Sequence, residues 1–144
     1  MKISLIIPCY NEETNIQKGV LDKIGNYTRG DERFFEVIIV DHHETLAGTP
    51  NASIIVDPKQ ESDSYPFKGL ANVGIAFNLC MELLGKNVSQ NLKNSFLELS
   101  ALGTIADMVP QVEQNQEIIE QGLRSLRNTF RPGLRVFFDI LGKG

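Results

Sequence analysis

Asp41, His42 and His43 follow one another directly after Val37-Ile38-Ile39-Val40. One carboxylate and two imidazoles in consecutive positions make a donor set for a divalent cation of hard to borderline character, such as Mn or Zn. The competing reading of the same residues is structural: the acid is a turn residue or helix cap, and the two histidines are a solvated pair. A further acid, Asp107, stands in the otherwise apolar segment Gly103-Thr104-Ile105-Ala106-Asp107-Met108-Val109-Pro110. Pro110 disfavours helix at the residue before it, so Asp107 falls at or just past a helix end. There it serves as a cap, an ion-pair partner or a metal ligand. Glu12 and Glu13 follow the first apolar run. For them the pull of a helix N-terminus competes with reaching inward to a metal.

The elements that must position these groups are readable from periodicity. Val37–Val40 is a short run of four β-branched aliphatics, the pattern of a strand buried on both faces of a parallel sheet. Ligands of such sheets bind just past the carboxyl ends of the strands, where Asp41, His42 and His43 stand. Residues 3–7 form a first strand. A helix beginning near Thr14 carries Ile16, Val20, Leu21 and Ile24 on one stripe and stops at Gly25. With the strand Phe34–Val40 these make one β-α-β unit. A third strand covers Ser53–Val56 and is closed by Asp57-Pro58.

The rest of the chain is helical. Leu70–Leu84 is apolar nearly all round and ends at Gly85, as expected of a buried helix. Gly74 in its middle marks a close approach to another backbone. Ser89 caps the next helix. Glu113–Phe130 is the last long one, with Ile119, Leu123, Leu126 and Phe130 inward, and Arg131-Pro132-Gly133 turns the chain into a short amphipathic tail, Leu134–Leu141. The expected architecture is a single α/β domain over residues 1–144: a three-layer, mostly parallel, Rossmann-like sheet with flanking helices and a helical C-terminal half.

Composition narrows the function classes. The 144 residues are 42% hydrophobic and 22% charged, enough for one buried core, and no apolar run nears the length of a membrane span. Cys9 and Cys80 do not form a disulfide framework, and the expected compartment is the reducing cytoplasm. A net charge of −4 excludes a generally basic nucleic-acid binder. Locally, Arg124, Arg127, Arg131, Arg135 and Lys143 stand against the single acid Asp139. A continuous helix would place the four arginines on one face, but Pro132-Gly133 splits the stripe, and a solvated face is the competing reading.

Six segments then follow one another in a specific order. They are Asp41-His42-His43-Glu44, Val56-Asp57-Pro58-Lys59-Gln60, Tyr65-Pro66-Phe67-Lys68, Leu70–Phe77, Ala101–Pro110 and Arg131-Pro132-Gly133-Leu134. Together they closely resemble the second half of the DHH phosphoesterase domain of RecJ-type single-strand-specific DNA exonucleases, over about residues 37–144. The resemblance implies a two-metal phosphodiesterase centre holding Mn or Mg, with Asp41, His42, His43 and Asp107 as metal ligands or their close support. It implies single-stranded DNA or a small phosphodiester as substrate. Two positions depart from the family: Asn72 stands where Gly is usual, and Gln116 where Arg is usual.

The front of the chain departs further, because the Asp-x-Asp motif after the first strand and the next aspartate motif of that family are absent. Instead Ser4–Glu13 with Asn15-Ile16, and Phe35–Asp41, look like the opening of GT-A-fold family 2 glycosyltransferases. There the acid after the second strand, here Asp41, holds the nucleotide of a nucleotide-sugar. Both resemblances meet at the strand Val37–Asp41, which suggests a chimera: a glycosyltransferase-like β-α-β unit over 1–40 and a DHH-like rear part over 41–144. A two-metal centre needs several carboxylates to hold ions roughly 3.5–4 Å apart. The missing acids therefore imply a weakened or inactive enzyme. The alternatives are a folding or recombination chimera without catalytic function, and a nucleotide-binding remnant using Asp41 and the loop Pro8–Glu13. A strand edge left unpaired at the junction would invite a homodimer.

Overall fold

The computed structural model describes residues 3–8, 34–44 and 52–141. The helix expected near residues 14–24, together with Cys9, Glu12, Glu13 and Lys143, lies outside the described residues. The chain is a mixed α/β protein, mostly helical, that divides into two compact units, Met1–Lys68 and Gly69–Gly144.

The first unit carries a parallel sheet of three described strands, β1 (Ile3–Pro8), β2 (Phe34–Val40) and β3 (Ile54–Val56), in the order β1-β2-β3. The register pairs Pro8 with Val40 and Val40 with Val56. All three strands therefore end at one level, and β2 lies between the other two. Ile39 and Val40 are buried, as the β-branched run predicts. The ladder continues one residue beyond β2, where the Asp41 N–H donates to the Val56 carbonyl at 3.0 Å.

The second unit is a helical array: α1 (Asn72–Leu84), α2 (Gln90–Ala106), α3 (Glu113–Leu126) and α4 (Pro132–Leu141). Ser89 caps α2 as expected, its hydroxyl accepting from the Leu92 N–H at 3.3 Å. Gly85 ends α1 at φ +65°, a conformation that favours glycine. The core of this unit is Leu70, Ala71, Ile75, Leu97, Ala101, Ile118, Ile119 and Leu126.

Two expectations about packing are corrected. A Cβ on Gly74 would meet the Leu70 Cδ1 at 2.8 Å and the Ile118 Cδ1 at 3.2 Å, so its neighbours are flexible side chains and not a second backbone. The close backbone approach occurs at Gly122 instead, where an added Cβ would fall on the Leu97 carbonyl oxygen and the Ala101 Cβ. The last long helix also stops at Leu126, four residues short of Phe130. Leu123 and Phe130, expected inward, are 43% and 66% exposed.

Asn115 joins three segments of this unit. Its side chain is fully buried; the carbonyl oxygen accepts from Ala71 N–H at 3.1 Å, and the amide donates to Gly69 O at 2.8 Å and Pro110 O at 2.9 Å. One side chain thus ties the entry of α1 to the turn before α3. Asn115→Ala strands the buried Ala71 N–H and removes the donor that met the part-buried Gly69 and Pro110 carbonyls, at roughly 1–3 kcal/mol for a buried group left unmatched and less for the other two. The expected loss, after partial relaxation, is about 2 kcal/mol, read as a lower urea midpoint with an unchanged slope.

Candidate metal and phosphodiester site

The site is built from the strand ends of the first unit. Where β2 leaves the sheet, Asp41 turns the chain with its own side chain: its Oδ1 accepts from the His42 N–H at 2.7 Å and the His43 N–H at 3.3 Å. This is the local side-chain-to-backbone bonding for which Asp is favoured at turns. The same oxygen lies 2.7 Å from His43 Nδ1. With Nδ1–H donating to Asp41, the lone pair of a neutral His43 sits on Nε2. That is the tautomer a metal-binding imidazole needs when its other nitrogen is held by a carboxylate. The two imidazole rings meet edge to face, with centroids 4.4 Å apart and planes inclined by 64°. His42 is buried, whereas His43 is half-buried.

The turn reading of Asp41 is therefore expressed in the geometry. One carboxylate oxygen orders the backbone and orients an imidazole, and the sequence placed all three groups correctly at the end of the strand.

Sequence reasoning missed Asp57. The register that pairs Val40 with Val56 places Asp57 alongside Asp41, at the end of the neighbouring strand. Asp57 is buried, and its Oδ1 accepts from the Lys59 N–H at 2.8 Å. Burial pushes its carboxyl above the ordinary value, and the charge of Asp41 pushes the same way. The Lys59 N–H bond and the nearby Lys59 and His42 act in the opposite sense. The signal was available: Asp57 follows a short apolar strand just as Asp41 does. Nearby, Lys59 pairs with Glu44 at 3.1 Å and so links the segments that follow β2 and β3.

Asp107 belongs to the second unit. It is the C-cap of α2, at φ −74° and ψ −10°, and its N–H donates to Gly103 O at 2.9 Å. The expected helix end is therefore present. An acid here faces the negative end of the helix dipole, an unfavourable placement by about 0.3–1 kcal/mol. Met108 follows in the left-handed region at φ 56° and is 88% exposed. That conformation costs a residue with a Cβ roughly 1–2 kcal/mol. Neither feature is what helix stability alone selects. Of the two departures noted in sequence, Asn72 is buried at the start of α1, and Gln116 is exposed, its amide donating to Glu120 Oε1 at 2.9 Å.

The donor types at the strand ends, imidazole and carboxylate, fit a divalent cation. Among the described residues, no group of three or more His, Cys, Asp or Glu is arranged to hold one.

A parallel sheet ending in Asp-His-His defines the class, and the sequence profile of the DHH family, N-terminal domain, matches residues 14–104. The chain belongs to the DHH family. The match begins well ahead of residue 37, inside the segment for which a glycosyltransferase-like opening was expected. Among its relatives is the single-stranded-DNA-specific exonuclease RecJ of Bacillus subtilis, 46% identical over 107 residues, covering 74% of this chain and 13% of the relative. RecJ of Dickeya dadantii is 33% identical over 119 residues, covering 75% of this chain and 21% of the relative. A prophage-derived single-strand DNA-specific exonuclease of Bacillus subtilis, YorK, is 29% identical over 98 residues, covering 67% and 16%. The chain spans about a fifth or less of the length of these relatives.

Proposed function

We propose that the chain carries the DHH-motif part of a divalent-metal phosphodiesterase that acts on single-stranded DNA or small phosphodiesters, with activity weakened by the missing front aspartates. Asp41, His42, His43 and Asp107 are its metal ligands or their immediate support, and Mn or Mg is the ion. The observation that carries this reading is the Asp41 carboxylate 2.7 Å from His43 Nδ1, an arrangement that favours the tautomer with its lone pair on Nε2, next in the chain to the buried His42. When bound, the ion supplies a more acidic water and stabilises charge on the phosphoryl oxygens. The chain's own part is to orient the imidazoles and to hold carboxylates where that charge gathers.

On this reading residues 1–144 form one Rossmann-like domain. The opening of the chain is of glycosyltransferase type and joined at the strand Val37–Asp41, although the DHH profile already matches from residue 14.

The test is Mn-dependent cleavage of a single-stranded oligonucleotide by the wild type and by His42→Ala. The expected result is slow, chelator-sensitive cleavage that falls to background in the variant. Equal cleavage by both proteins overturns the assignment.

A further inference from the structure

The geometry points to a second nucleic-acid contact on the helical unit: an open groove between α2 and α3 that holds a base of single-stranded nucleic acid against Phe130, with Arg124 and Arg127 at its backbone phosphates. The single-stranded ligand is taken from the reading above; the groove is an additional place that holds it, made of residues outside the metal site.

The groove measures about 870 Å³ and is lined by Asn91, Gln121, Arg124, Asn128 and Phe130 among others. The amides are donors and acceptors suited to a base edge. Phe130 is 66% exposed, although periodicity would have buried it. A large aromatic ring presented to solvent at the rim of a polar groove is the feature on which an unpaired base stacks. The guanidinium of Arg131 lies 5.7 Å from the ring centroid, a cation–π contact that also holds the ring in place.

The local charge suits a phosphate strand. From Gln121 to Leu141 there are four arginines, Arg124, Arg127, Arg131 and Arg135, and one acid, Asp139. Glu98 also lines the groove, but it is buried and engaged: Ser125 Oγ donates to it at 2.6 Å and Thr129 Oγ1 at 2.7 Å, with Arg131 Nε at 3.9 Å. Arg131 is thus turned inward to balance Glu98, which corrects the expectation that it belongs to a solvated stripe. Of the four arginines, Arg124, Arg127 and Arg135 are exposed, and Arg124 lines the groove. Arg124 is steadied by its own helix, Nε donating to Glu120 O at 3.2 Å and a terminal nitrogen lying 3.8 Å from the Glu120 carboxylate, an exposed pair that a phosphate can displace.

The experiment is fluorescence-anisotropy titration of labelled oligothymidylate with the full chain, in EDTA so that no divalent ion contributes. Phe130→Ala is expected to weaken binding by about five- to a hundred-fold, the range for losing one base–aromatic stack, and to leave duplex binding unchanged. Arg127→Ala is expected to reduce the dependence of log affinity on log salt by about one ion. Unchanged single-strand affinity in Phe130→Ala, or equal loss for single strand and duplex, overturns the proposal. So does a wild type that binds no oligonucleotide but self-associates through this face. Both substitutions are at exposed positions, and an unchanged melting temperature confirms that binding alone is read. Failure of Mn-dependent cleavage with this binding intact would remove the metal-site reading and leave the groove standing.

Discussion

Asp41→Ala is expected to lower Mn affinity by at least about 100-fold, while Asp41→Asn loses less and keeps the turn intact. One oxygen of Asp41 serves both backbone and imidazole, at 2.7 Å from His42 N and 2.7 Å from His43 Nδ1. Alanine removes the charge, the turn and the anchor of His43 together. Loss of a group that merely orients a metal-binding histidine already costs about 10–100-fold in affinity. Asparagine retains an oxygen in the same place and can still accept from the two N–H groups, so it isolates the contribution of the charge. Calorimetric titration of both variants with Mn separates the two effects. Equal, small losses would mean that Asp41 is a turn residue and nothing more.

Gly122→Ala is expected to cost about 3 kcal/mol or more, a large fraction of the stability of an ordinary domain. The added Cβ has nowhere to go, because the Leu97 carbonyl and the Ala101 Cβ already occupy its position. Neither is the far end of a flexible side chain, so α2 and α3 must separate, and overpacking of this kind ordinarily costs about 1–3 kcal/mol even where side chains can adjust. Gly74→Ala is the control: its nearest neighbour is the Leu70 Cδ1 at 2.8 Å, which can rotate away, and the expected change is within about 1 kcal/mol. Urea melts of the two variants make the comparison, and similar midpoints would show that the helices are not locked at Gly122.

The parts of the molecule that were legible in the sequence are those set by short-range rules. Strand β2 was legible because four β-branched residues fit a strand buried on both faces, and its functional end because an acid and two imidazoles follow it directly. The α2 cap at Ser89 and the stop at Gly85 depend on one residue each. Phe130 was misread because the apolar spacing of α3 continues past its end at Leu126. The chain turns away there through Thr129, whose hydroxyl reaches Glu98, 31 residues earlier. Asn115 was unremarked for the same reason: its partners Ala71 and Gly69 are 44 and 46 residues away. Asp57 needed the strand register to place it beside Asp41.

The most direct measurement of the central claim is the loss of the free-Mn EPR signal as protein is added. The account predicts that the wild type removes Mn from solution in proportion to protein and that EDTA restores the signal. His42→Ala, equally folded by circular dichroism, should leave the signal nearly unchanged. A wild type that leaves millimolar Mn free, or a His42→Ala protein that binds it equally well, would contradict a metal site at the end of β2.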